Sequence, residues 1–251
     1  MGDAQGGESA ARGALPVRSQ TNLIRWTACG FEQAAAVSTS TTHGSNGDPP
    51  LGDKYARIVN DMARQGWSVR ENFLDDALTA MLMGEALRLR AAGAYRHAGV
   101  GRGETAQVRP ALRSDRIAWL DGKNESGATL KYLRELETLR QALNGSLFLG
   151  LFDFEGHLAE YVPGAFYRRH LDQHHDSDDR VVSCVLYLNR DWIPADGGEL
   201  RLYLPDLNGQ RDIAPRAGTL VCFLSGAFEH EVLPVHKSRH SLSGWFRRRA
   251  L

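Results

Sequence analysis

The chain contains few cysteines, no long apolar run and no net charge, and each absence excludes a class of protein. Its 3 cysteines (Cys29, Cys184 and Cys222) are widely spaced, and none belongs to a CxxC pair. This scatter argues against a disulfide framework or a structural zinc cluster and favours a reducing compartment. The 30 basic and 30 acidic residues balance, so the chain as a whole has no field that attracts nucleic acid or an acidic membrane.

No segment approaches the roughly 18 consecutive apolar residues that mark a membrane-spanning helix. The first residues, MGDAQGGESAARG, also lack the basic and apolar regions of a signal peptide. We therefore expect a cytoplasmic, monomeric protein whose partners are neither nucleic acids nor membranes.

The length of 251 residues fits one domain with a tail. Residues 1–55 are rich in Gly, Ala, Ser and Thr, and they would bury too little apolar surface to offset the entropy lost on ordering. We predict a disordered tail or linker over residues 1–55, in which the apolar run Leu23–Trp26 could still dock on a partner. The folded domain is predicted over residues 56–251.

Periodicity in the folded part predicts two helices followed by strands. Apolar residues at helical spacing predict a helix over Phe73–Ala92, capped by Asn72 or Asp75, and a second over Ala128–Leu143, ended by Asn144-Gly145. Short apolar runs bounded by turn residues then predict strands. These runs are Leu147–Phe154, His157–Val162, Ala165–His170, Val181–Leu188, Glu199–Tyr203, Thr219–Phe223 and Ser241–Phe246. The order predicts an α+β fold, a jelly roll (double-stranded β-helix) with helices packed on one face.

The segment His170-Leu171-Asp172 directly follows one of these strands. In an extended segment, residues i and i+2 point the same way, so both side chains can face one metal ion. Two imidazoles and one carboxylate on one face of an octahedron suit Fe(II) and leave three positions open. A second match, His174-His175-Asp176, lies in a polar stretch that reads as a loop. We therefore predict His170 and Asp172 as two metal ligands.

The third ligand is expected from a later strand, where His230, His236 and His240 are available. His230 lies at the start of a predicted strand, whereas His236 lies in a predicted turn, so we favour His230. Arg239 follows nine residues after His230. An arginine there can clamp the far carboxylate of an iron-chelating keto acid through two charge-assisted hydrogen bonds. Its alternative role is that of a surface cation in a basic cluster.

Five segments in order strengthen this reading: IAWLDG (117–122), YVPGAFYRRHLD (161–172), CVLYLNRDW (184–192), DGGELRLY (196–203) and HEVLPVHKSRHSLSGWF (230–246). With about 60 residues between Asp172 and His230, the set resembles the 2-oxoglutarate- and Fe(II)-dependent dioxygenases. The resemblance covers about residues 70 to 248. It is to the prolyl hydroxylase domain branch, which includes the animal oxygen sensors and bacterial relatives.

The resemblance implies Fe(II) held by His170, Asp172 and His230, with 2-oxoglutarate and O2 as co-substrates and ascorbate as an optional addition. Arg239 and Tyr187 match the residues that bind the far carboxylate of 2-oxoglutarate. Tyr161 resembles the tyrosine near the chelating end of the co-substrate, and its alternative role is to fill the core.

The resemblance also implies a set of substrate-binding residues. Arg180 matches an arginine that contacts the peptide substrate, and Trp245 matches a tryptophan that walls the site. Tyr167 is expected in the pocket if it points with Arg169 away from His170, and on the opposite side if the strand bulges.

Arg113 and Asp115 match charged positions in a mobile loop that covers the bound peptide. This chain reads RSD over residues 113–115, where the family often has Arg-Gly-Asp. The lost glycine removes backbone freedom from the loop.

The implied reaction is hydroxylation of a prolyl residue in a protein, at C4, by an enzyme that could also sense oxygen. Bacterial relatives act on a prolyl residue of translation elongation factor Tu. Three alternatives stay open: an oxygenase acting on another residue or a small molecule, a non-catalytic jelly-roll binding module with a relic triad, and a metal-dependent isomerase or cupin-like enzyme of the same architecture.

Overall fold

The computed structural model describes residues 53–99, 107–120, 125–173, 178–205 and 209–249. Residues 1–52 of the predicted tail and the second histidine match at 174–176 lie outside this part of the chain. Residues 53–55 belong to the predicted tail but form the start of the first helix.

The described elements are three α-helices, eleven strands and a 3₁₀ helix at Pro194–Asp196. The helices are α1 (Asp53–Gln65), α2 (Asp76–Ala91) and α3 (Gly127–Leu147). The strands are β1 (Trp67–Arg70), β2 (Arg96–His97), β3 (Arg116–Trp119), β4 (Leu151–Tyr161), β5 (Tyr167–His170), β6 (Arg180–Tyr187), β7 (Leu200–Leu204), β8 (Gly209–Ile213), β9 (Leu220–Leu224), β10 (His230–Val232) and β11 (Arg239–Arg248).

The strands form two antiparallel sheets. The major sheet has seven strands in the order β1-β9-β6-β11-β4-β3-β2, and the minor sheet has four in the order β5-β10-β7-β8. Alternation along β9 places Leu220 and Cys222 in a core shared with the helices, and Val221 and Phe223 in a second core shared with the minor sheet. The predicted jelly roll with helices on one face is therefore confirmed.

Helix α2 begins where its predicted cap places it. The Asp75 side chain accepts a hydrogen bond from the backbone N–H of Leu78 at 2.7 Å, which satisfies a donor of the first turn. The helix ends at Ala91, and Gly93 follows with a φ of 68°. Helix α3 continues past the predicted stop at Asn144-Gly145. Its chain turns instead at Phe148, which takes the left-handed conformation with a φ of 54°.

The predicted strands are present, and two of the predicted runs merge into one strand. The runs predicted over 147–154 and 157–162 fall mainly in one strand, β4, because Gly156 is not a turn residue. The first run begins too early, since Leu147 ends α3 and β4 begins at Leu151. Gly156 lies opposite Gly244 of β11, where a Cβ on Gly244 would approach the Gly156 Cα to 2.8 Å. The sequence reading missed α1, β1, β2 and β8. None of the described helices has the length and apolar content of a membrane span.

Candidate metal centre and co-substrate site

Strand pairing in the minor sheet brings two histidines together. His170 at the end of β5 lies directly opposite His230 at the start of β10. Their ring centroids are 4.2 Å apart. Residues some 60 positions apart in the chain are thus neighbours because of sheet register.

Each of these rings is oriented by its own strand. The Nδ1 of His170 lies 2.7 Å from the carbonyl oxygen of Arg168, and the Nδ1 of His230 lies 3.2 Å from that of Phe228. A ring that donates its Nδ1–H to a carbonyl keeps the Nε2 lone pair free for a metal. Both Nε2 atoms then face the same point.

Asp172 completes the group. Its two carboxylate oxygens lie 3.5 Å from the Nε2 atoms of His170 and His230, and all three ligand atoms lie within 4.8 Å of one another. The hydroxyl of Ser183 donates to Asp172 Oδ2 at 2.7 Å. One carboxylate and two imidazoles in a compact face are the donor set that non-haem Fe(II) uses.

The protonation states fit a metal ligand set. Burial by itself raises the pKa of the Asp172 carboxyl, but His230, His170 and the Ser183 hydroxyl outweigh it and hold that pKa well below its ordinary value. Burial lowers the pKa of His230 to about 4, against the opposing effect of Asp172. At neutral pH the carboxylate is ionised and this imidazole is neutral, as coordination requires.

Arg239 is a buried cation beside this group. Its side chain is 1% exposed, and its guanidinium lies 4.9 Å from the Tyr161 ring centroid and 5.0 Å from that of Tyr187. Within the described ranges no carboxylate pairs with it, and its Nε and the Tyr187 hydroxyl have no hydrogen-bond partner. Burial raises the pKa of Tyr187 to about 12, so its hydroxyl keeps its proton. A buried, unpaired cation is costly, so the site is suited to an anion that enters from outside.

Gly198 makes room for this arginine. Its φ is 69°, and a Cβ there would lie 2.5 Å from Val235 Cγ1 and 3.1 Å from Arg239 Cδ. Only glycine combines this backbone conformation with the close approach. The DGGELRLY segment therefore contributes space for Arg239.

The metal group and the cation open into one cavity of about 800 Å³. His170, Asp172 and His230 line it together with Tyr161 and Arg239. The metal ligands and the guanidinium therefore face the same enclosed space.

Known proteins are similar to this chain in sequence and in fold. The model of the 2OG-Fe(II) oxygenase superfamily matches residues 156–247. A Pseudomonas putida prolyl-4-hydroxylase structure is 48% identical, with a TM-score of 0.69, over 78% of this chain and 100% of that one. This chain belongs to the 2OG-Fe(II) oxygenase superfamily. Enzymes of this superfamily use Fe(II), 2-oxoglutarate and O2, and the His170, Asp172 and His230 group fits the iron.

Two further relatives are animal proteins. A Trichoplax adhaerens prolyl hydroxylase, in complex with a hypoxia inducible factor oxygen degradation domain peptide fragment, is 28% identical with a TM-score of 0.71, over 78% of this chain and 90% of that one. Human Egl nine homolog 1 is 33% identical over 144 residues, which are 54% of this chain and 33% of that protein. The chain therefore matches about a third of that relative's length.

In this superfamily member, ion pairs hold the side chains of one wall of the cavity in place. The guanidinium of Arg180 lies 3.4 Å from the Trp245 ring centroid, and its Nη2 donates to Glu155 at 2.7 Å. Arg247 donates to the other oxygen of Glu155 at 2.6 Å. Arg180 and Trp245 thus form a rigid surface at the cavity.

The position of Tyr167 corrects the sequence reading. The β5 strand does bulge, because three steps from Tyr167 to His170 pair with two from Val232 to His230. The extra residue turns Tyr167 onto the same side as His170, and the rings stack 3.6 Å apart with an interplanar angle of 16°. The bulge was expected to move Tyr167 to the opposite side of the strand, but it places Tyr167 in the cavity lining.

Arg113 also lines the cavity, but Asp115 does not. The Arg113 guanidinium lies 4.3 Å over the Tyr167 ring and bonds both oxygens of Asp115, at 2.8 and 2.6 Å. Asp115 is 1% exposed, so its carboxylate anchors Arg113.

The competing histidines are placed elsewhere. His236 is exposed, as the predicted turn implied, and His240 is buried but alternates with Arg239 and so points to the other face of β11. The sequence reading missed Ser183 and His157. Both could have been found by period-two alternation, Ser183 from Tyr187 and His157 from Tyr161.

Proposed function

We propose that this chain is a prolyl 4-hydroxylase that modifies a protein substrate with Fe(II), 2-oxoglutarate and O2. The observation that carries the proposal is the 48% identity over the whole Pseudomonas putida prolyl-4-hydroxylase chain, combined with a metal group and an unpaired buried arginine in one cavity. The oxygenase domain is proposed to begin with α1 and to span residues 53–251, with the preceding residues as a tail.

The proposed co-substrate site uses two ends of the cavity. His170, Asp172 and His230 hold the iron, which supplies an oxidant for an unactivated C–H bond when its co-substrates are bound. Arg239 clamps the far carboxylate, with Tyr187 as a neutral hydroxyl donor. Tyr161, which pairs across the strands with Arg239, is proposed to contact the co-substrate toward its chelating end.

The proposed substrate site lies at the other end. Arg180 and Trp245 form a fixed wall, and Tyr167 with Arg113 forms a second one. Because ion pairs with Glu155 and Asp115 hold both arginines, their side chains lose little entropy when a peptide binds.

We propose bacterial elongation factor Tu as the substrate, in the cytoplasm, with the enzyme acting as a monomer and its rate responding to oxygen. Ascorbate is proposed to support activity by keeping the iron reduced. A protein substrate suits a cavity whose lining includes the exposed Trp119 and the Arg180–Trp245 wall.

The test incubates the purified chain with Fe(II), 2-oxoglutarate, air and recombinant elongation factor Tu. We expect one prolyl residue to gain one oxygen atom, with succinate released in step and 4-hydroxyproline, not 3-hydroxyproline, after hydrolysis. His170→Ala should abolish both products and anaerobic Fe(II) binding. Succinate release with free amino acids or small molecules alone would contradict the protein substrate. Iron binding without any succinate would contradict the enzymatic activity.

A further inference from the structure

His157 is a buried, unpartnered histidine in the wall of the cavity. It lies in the middle of β4, is 4% exposed, and is directly opposite Trp119 on β3 and Ser243 on β11. Its ring centroid is 4.9 Å from that of Trp119 and 5.5 Å from that of Trp245. The metal and co-substrate groups described above do not use it.

The ring is neutral and forms no hydrogen bond within the part of the chain that the structure describes. Burial, with help from Arg113 and Arg180, lowers the pKa of His157 to about 3. Neither ring nitrogen is hydrogen-bonded to another described residue. Nδ1 is fully enclosed, whereas Nε2 is not enclosed. An apolar side chain of similar size would pack between two tryptophans without leaving a polar atom unsatisfied.

The enclosed Nδ1 determines which proton position is favoured. A buried N–H without an acceptor is rarer in proteins than an acceptor with an unused lone pair. The proton is therefore expected on Nε2, and the ring offers an N–H donor to the cavity.

The donor lies at the substrate end of the cavity. Tyr161 pairs directly with Arg239, and His157 lies four residues back along the same face of β4. At about 3.3 Å per residue this is about 13 Å from the arginine end. The neighbours of His157 are instead Trp119 and Trp245, and Trp245 also stacks against Arg180.

We infer that His157 is a specificity-determining residue whose Nε2–H donates a hydrogen bond to a main-chain carbonyl of the protein substrate, beside the residue that is oxidised. An N–H donor needs an acceptor, and the acceptors of a peptide main chain are its carbonyl oxygens, which a prolyl residue keeps although it has no N–H. The inference rests on the proposed function, because it requires a peptide in this end of the cavity.

The test compares His157→Met, which keeps the volume and removes the donor, with His157→Gln, which keeps an N–H donor. Bacterial elongation factor Tu is the probe. We expect His157→Met to raise the KM for elongation factor Tu about 10-fold, as loss of one hydrogen bond allows. The KM for 2-oxoglutarate and the anaerobic Fe(II) affinity should stay at their wild-type values. In His157→Gln, the KM for elongation factor Tu should lie close to the wild-type value.

Phe152→Met is the matched control, since Phe152 lies on the same strand, is 51% exposed and does not line the cavity. An unchanged KM in His157→Met overturns the inference, and so does an equal rise for both substrates or a defect that glutamine does not rescue. If the wild type hydroxylates no prolyl residue of elongation factor Tu but releases succinate with other compounds, the proposed function fails and the inference fails with it. If the wild type hydroxylates it and His157→Met behaves like Phe152→Met, only the inference fails.

Discussion

Replacing Ser183 with alanine should weaken metal binding without touching a metal ligand. Ser183 on β6 is 1% exposed and donates its hydroxyl proton to Asp172 Oδ2 at 2.7 Å. Since Asp172 is ionised and can only accept, the 2.9 Å contact between Ser183 and Ser225 must be a bond that Ser225 donates. Two serines thus form a short chain that ends on the carboxylate.

The expected loss follows from two independent magnitudes. Removing an outer partner of a metal ligand typically lowers metal affinity about 10- to 100-fold, which equals about 1.4 to 2.8 kcal/mol. A hydrogen bond to a charged group contributes about 1.5 to 3 kcal/mol. The two ranges agree, so we expect Ser183→Ala to bind Fe(II) about 10- to 100-fold more weakly.

Fe(II) affinity can be measured anaerobically by competition with a chromophoric chelator, and folding can be followed separately by thermal unfolding of the metal-free protein. Ser225→Ala is the matched control. It removes the other buried hydroxyl of this hydrogen-bonded pair of serines but leaves the bond from Ser183 to Asp172. Its affinity should remain near that of the wild type. The reasoning is refuted if Ser183→Ala binds iron as the wild type does, or if both variants lose affinity equally.

Three further predictions concern co-substrate binding, stability and pH. Arg239→Ala should raise the KM for 2-oxoglutarate about 10- to 100-fold, measured by succinate release, because it removes a charge-assisted clamp. Asn189→Ala should lower the free energy of unfolding of the metal-free protein by about 2 to 4 kcal/mol in urea, since its buried amide bonds Pro215 O, His240 O and His240 N. Burial, then Arg90 and Arg239, lower the pKa of His240 to about 4. The unfolded chain therefore takes up this proton first, and the folded state loses stability as pH falls below about 6.5 toward 4. Between pH 7 and pH 5, the free energy of unfolding of His240→Gln should fall by about 2 kcal/mol less than that of the wild type. Equal slopes in the two pH titrations would contradict this.

The elements with a strong local pattern could be predicted from the sequence. The cap at Asp75 and the stop near Gly93 bound α2 correctly to within three residues. The strands that alternate between two cores, such as β9, also follow from their apolar runs. Their periodicity is a local property, and it predicts the element without knowledge of its neighbours.

The elements that were missed depend on their partners. Strand β1 has four residues and is defined by its pairing with β9, and β2 has two residues that pair with β3. Helix α3 continues past Gly145, where the side-chain amide of Asn144 forms two hydrogen bonds with the backbone of Leu151. Its Nδ2 donates to the Leu151 carbonyl oxygen and its Oδ1 accepts from the Leu151 N–H, both at 2.8 Å. No local pattern reveals this interaction. The β5 bulge that brings Tyr167 into the cavity likewise exists only in the pairing with β10.

The same distinction separates the ligands within the metal centre. His170 and His230 each bond the carbonyl two residues before them, so their own strands orient both rings. Asp172 follows the end of β5, and the group that fixes its carboxylate comes from β6 in the other sheet. The orientation of the imidazoles therefore depends on their own strands, whereas that of the carboxylate depends on a contact between the two sheets. Fe(II) affinity is consequently expected to depend on the contact that Ser183 makes between the sheets. Substitution of this serine should therefore change the affinity more than its distance from the metal ligands in the sequence indicates.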